Sequence, residues 1–62
     1  MNSVWILMDV WDEGSSIVAL HRNEVRARLA RLREIQYRRK EQPNIPIKVW
    51  VDGLRVVEMP VN

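Results

Sequence analysis

Sixty-two residues with no cysteine and one histidine make a single domain, residues 1–62, and exclude disulfides, thiolate metal sites and a histidine-built zinc centre. A chain this short buries only about 60% of its unfolded surface, so close packing or a partner subunit has to replace such staples. The net charge of +2 is unevenly spread: Arg22 to Gln42 holds eight basic and three acidic side chains, which puts +5 there and leaves −3 on the rest.

The uncharged run Val4 to Met8 has no basic flank and is far too short for a signal-peptide core or a membrane span. With no cysteine to oxidise, the expected location is cytoplasmic, with no membrane partner. The stretch SVWILMDVW is rich in β-branched and aromatic residues and predicts a strand. Val4, Ile6, Met8 and Val10 share one face of it; Trp5, Leu7, Asp9 and Trp11 share the other. DEGS follows as a turn, with Gly14 free to take unusual backbone angles, and SIVAL predicts a second strand that closes a hairpin.

A helix comes next. Asn23 is a natural N-cap and Glu24 suits the first turn. Alanine, leucine, arginine and glutamate are good helix formers, and Pro43 ends the run and disfavours helical geometry at Gln42. The last segment, IKVWVDGLRVVEM, predicts a hairpin around an Asp52-Gly53 turn, with Trp50 opposite Arg55. The expected fold is therefore α+β, in the order ββαββ: a four-stranded, mostly antiparallel sheet with one amphipathic helix across one face.

Six arginines and a lysine lie between Asn23 and Lys40. On a helical wheel Val25, Leu29, Leu32 and Gln36 fall between about −20° and +40°, which predicts the buried stripe. Arg22, Arg26, Arg33 and Lys40 line one flank; Arg28, Arg31, Arg38 and Arg39 line the other. The outward centre holds Ala27, Ala30, Glu34, Tyr37 and Glu41. A helix that reads base edges would carry basic and amide groups there. Two flanking rows instead predict snorkelling side chains with aliphatic stems on the sheet and charged heads in water. Arg28, Arg31, Arg38 and Arg39 can still grip phosphates, so the alternative to a protein-interaction module is a nucleic-acid-binding regulator that uses these flanks, with binding expected to be weak and non-specific. Glu24–Arg28 and Glu34–Arg38 have the favoured acid-first spacing.

Asp9, Asp12 and Glu13, near one hairpin end, could in principle bind a hard cation, as a small metal-dependent nuclease would need, but three carboxylates without a ligand loop read as a solvated acidic turn that blocks edge pairing. No metal site and no cofactor are expected. His21 has no nucleophile or orienting acid in sight, there is no glycine-rich phosphate loop, and no residue is assigned a catalytic role; the chain does not read as an enzyme.

If the helix covers the Val4 face, then Trp5, Leu7, Trp11 and Trp50 share the open one, with Arg55 beside Trp50 as a cation–π partner. The alternative is that the tryptophan side is the core. A contiguous apolar sheet face marks a partner site, and tryptophan and arginine dominate such sites. Trp5, Leu7, Trp11, Trp50 and Arg55 are thus the expected protein interface, and a homodimer is the expected assembly.

The order VWILMDV, turn, SIVAL, helix and terminal hairpin resembles small phage and bacterial accessory proteins with a ββα unit followed by one or two strands. Some phage-encoded inhibitors of host defence, including certain anti-CRISPR proteins, are similar in size and element order. The resemblance spans most of the chain and carries over no functional residue. It implies an accessory factor or inhibitor that works by binding a host protein.

Overall fold

The computed structural model describes residues 2–61. Strand β1 (Asn2–Trp11) and strand β2 (Gly14–His21) form the first hairpin, followed by helix α1 (Glu24–Glu41), a short helix α2 (Ile47–Gly53) and strand β3 (Leu54–Val61). The sheet has three strands in the order β2-β1-β3. The long β1 is central and antiparallel to both neighbours: Trp11 pairs with Gly14 and Trp5 with His21 on one side, Asp9 with Leu54 and Asn2 with Val61 on the other. Asp12 and Glu13 are left as a two-residue loop. No described residue takes positive φ, Gly14 included. Leu7 pairs with Ala19 and Met8 with Ile17, so Val18 is the extra residue of a β-bulge.

Helix α1 begins where its cap places it. The Asn23 side chain accepts hydrogen bonds from the Val25 and Arg26 backbone amides at 2.8 and 3.3 Å. At the other end the Gln42 amide donates to the Arg38 carbonyl at 2.8 Å, and Pro43 prevents a further turn.

The expected final hairpin does not form: Ile47 to Gly53 is helical, so the sheet has three strands rather than four and there are two helices rather than one. The cause lies outside the segment. Arg38, near the end of α1, and Leu54, at the start of β3, both sit beside Asp9. The intervening chain only has to close a short gap at one end of the sheet. A hairpin would first require Gln42–Pro46 to travel to the level of Trp5, four rows or roughly 14 Å away. Coiling also brings Trp50 against the core of Leu7, Ile35 and Leu54. The β-propensity of Ile47, Val49 and Val51 is overridden, as context often does.

The sides of the sheet are also the reverse of those expected. Leu7 is 1% exposed and packs with Ile35 of α1 and Leu54 of β3, and Val18, Ala19, Ala30, Trp50 and Val56 close around them. The tryptophan side of β1 therefore faces the helix, and Val4, Ile6, Met8 and Val10 face away. Helix α1 is rotated about half a turn from the expected orientation. Ala27 is fully buried and Ile35 nearly so, while Val25, Leu29 and Leu32 are 65%, 47% and 52% exposed. Bulky side chains on the sheet, Leu7 among them, meet small ones on the helix, the large-against-small interdigitation that lets layers approach closely. The stems of Arg31 and Arg38 complete the inner helix face.

Candidate functional site

The arginines divide by what they bind. Arg38 is the most constrained: its guanidinium donates to Asp9 Oδ2 at 2.6 Å and to Glu34 Oε2 at 2.8 Å, and its Cζ lies 5.4 Å from the Trp50 ring centroid. Burial by itself would lower the Arg38 pKa, but hydrogen bonds and charge from Asp9 and Glu34 outweigh it, so the net shift is upward. The cation over Trp50 is thus Arg38, not Arg55. Arg31 donates to the carbonyls of Leu54 at 2.6 Å and Val51 at 2.7 Å. It thereby satisfies acceptors that the end of α2 leaves unpaired. Arg55 Nε adds a bond to the Asp52 carbonyl at 3.2 Å. Arg28 pairs with Glu24 at 2.8 Å on the surface. Of the four arginines expected to face phosphate, Arg31 and Arg38 are spent inside the fold and Arg28 is neutralised; Arg39 alone is exposed with no ion pair among the described residues.

The five expected interface residues are also scattered. Leu7 is core, Trp5 is half-buried on the helix side beside Glu58 and His21 in the pairing, and Trp50 is half-buried in α2. Trp11 is 50% exposed at the hairpin end. Arg55, opposite Met8 in the sheet, is the one that borders the open face. Asp9 is bonded to Arg38, and no group of three potential metal ligands exists among the described residues.

What the structure does bring together is the uncovered face of the sheet. Val4, Ile6, Met8 and Val10 of β1 are flanked by Ile17 and Leu20 of β2 and by Val57, Met59 and Val61 of β3. Ile6, at the middle, is 5% exposed although no helix covers it, because its neighbours crowd over it; Ile17, Leu20 and Met59 are 59%, 61% and 52% exposed. The sequence shows the β1 part of this face as an alternating apolar set, and alternation alone points such a set at the core.

The shape agrees. The Cα extents are 42 × 25 × 13 Å and the radius of gyration is 12.3 Å, against roughly 10.6 Å for a compact chain of this length. The accessible surface is 5067 Å², and a folded monomer of 7.4 kDa exposes about 4,200 Å². The excess of about 850 Å² is close to the ~800 Å² that each partner buries in a standard interface.

Fold and surface together define a two-layer α+β protein, one sheet face sealed by helices and the other apolar and open. No helix among the described residues is long and apolar enough to cross a membrane. Compared with known protein families, with curated proteins and with solved structures, the chain matches none.

Proposed function

We propose that the chain is a non-catalytic protein-interaction module that self-associates through the open sheet face, acting in the cytoplasm as an accessory or inhibitory factor. The observation that carries the reading is the uncharged middle of that face: nine apolar side chains on three strands, with Arg55 at its border. Homodimer interfaces are more apolar than transient heterologous ones, so a face with no charge at its centre suits a second copy, in two-fold pairing. Burying the accessible half of side chains such as Ile17, Leu20 and Met59 stabilises by roughly 1 kcal/mol each, and two copies contribute each side chain twice. The non-catalytic part rests on His21, whose surrounding groove is lined by Arg26, Leu29, Ala30 and Arg33, with neither a nucleophile nor an orienting carboxylate among the described residues that line it. The accessory role rests on the resemblance of the β1–β2–α1 portion to small phage and bacterial accessory proteins; beyond it the order here is α2 then β3, in place of the terminal hairpin.

Sedimentation velocity at micromolar concentration tests the association. The expected species is a dimer, and Leu20→Asp shifts it to monomer while the far-ultraviolet circular dichroism is unchanged. A parent protein that sediments as a monomer, or a dimer indifferent to Leu20→Asp, would overturn the assignment.

A further inference from the structure

The outward side of α1 is a second unpartnered surface, on the opposite side of the molecule from the open sheet face. Val25, Leu29, Leu32 and Gln36 repeat at spacings of four, three and four, the seam of a helix that packs along another helix. The three apolar members of that seam are all about half or more exposed. Arg26 and Arg33 each follow a seam position by one residue, and Lys40 lies seven residues beyond Arg33, which aligns the three as a single charged row beside the seam. None of the three forms an ion pair among the described residues. The acidic side chains that α1 uses, Glu24 and Glu34, are bonded to Arg28 and Arg38, away from this row. Beside the row a concavity of about 340 Å³ is lined by His21 of β2 and by Arg26, Leu29, Ala30 and Arg33 of α1.

We propose that this seam docks an acidic amphipathic helix of another protein. Charge decides the occupant. Flanking rows of a two-helix seam meet each other, so their signs set the choice of partner. A second copy packed antiparallel would set Arg26, Arg33 and Lys40 against themselves; packed parallel, it would set Arg28 against Arg33. Like charges so placed are unfavourable. A nucleic-acid backbone would meet the basic row but gain nothing from Val25, Leu29 and Leu32. A helix with leucines along its seam and glutamates along its flanks satisfies both. The inference is independent of self-association through the sheet, since Leu20 and its neighbours lie on the other side.

The probe is a labelled synthetic peptide of about three heptads with leucine at the seam positions and glutamate at the flanks, read by fluorescence anisotropy. The parent protein binds it, and affinity falls as salt rises. The triple variant Arg26→Glu, Arg33→Glu, Lys40→Glu loses about tenfold or more in affinity. It recovers binding to a peptide with lysine flanks, which shows that the variant is folded. Leu29→Ser with Leu32→Ser loses binding to both peptides. Absence of binding by the parent, or equal binding of a scrambled peptide of the same composition, overturns the proposal. So does tighter binding to duplex DNA or to phosphatidylserine vesicles at physiological salt, or a parent dimer that Leu29→Ser with Leu32→Ser converts to monomer.

Discussion

Replacing Arg38 with methionine keeps the aliphatic stem that covers the core and removes only the guanidinium. In the parent that group is 20% exposed and holds Asp9 and Glu34, each 26% exposed, at 2.6 and 2.8 Å. Without it two carboxylates from β1 and α1 are left close together in a poorly hydrated corner, above a Trp50 ring that has lost its cation. Hydrogen bonds to charged groups contribute about 1.5–3 kcal/mol, and breaking a fully buried pair costs about 3–5 kcal/mol. Partial solvation places this site lower, at about 2–3 kcal/mol. A domain of this size has a stability of roughly 3–9 kcal/mol, so the loss is a large fraction of the total. With an unfolding entropy of about 0.13 kcal/mol/K for the whole chain, the melting temperature drops by about 15–23 °C. Thermal melts at fixed protein concentration, in a cycle with Asp9→Asn, measure both the loss and the coupling, which is expected to exceed about 1 kcal/mol. The control is Arg28→Met, whose partner pair is 60% and 45% exposed and is worth less than about 0.5 kcal/mol. An Arg38→Met protein that melts within about 3 °C of the parent would refute the reasoning, because Asp9–Arg38–Glu34 would then be a solvated surface cluster like any other.

The orientation of α1 predicts opposite outcomes on its two faces. Ala27→Leu overpacks a site with no free surface and costs about 1–3 kcal/mol, whereas Leu29→Gln stays within about 0.5 kcal/mol of the parent; denaturant titration reads both. Arg31→Met removes the donors to Val51 and Leu54, so amide exchange accelerates across Ile47–Gly53 while the β1 amides remain protected.

Local chemistry is legible in the sequence wherever neighbours along the chain decide it. Asn23 caps α1, Pro43 stops it, the Glu24–Arg28 and Glu34–Arg38 pairs form at their spacing, and alternation identifies the first two strands. Each needs only residues within a turn or a hairpin of one another. The sequence also shows that two apolar sets, Val4–Ile6–Met8–Val10 and Val25–Leu29–Leu32, exist and demand burial. Which set meets which is a matter of tertiary packing. The wheel brought the leucine stripe of α1 onto the sheet because apolar burial is the strongest single term, but Ala27 and Ala30 allow a closer approach to a sheet face that already carries Leu7 and two tryptophans. Arg31 and Arg38 find on that side the carbonyls and carboxylates they bind, and those partners lie 20 to 29 residues away in the chain. The same long-range closure, Arg38 and Leu54 both beside Asp9, turned a strand-forming segment into α2. The sequence therefore determined β1, β2, α1 and their sticky faces, and only the fold decided that Ile47–Gly53 coils into α2 and which of those faces are spent inside or left for partners.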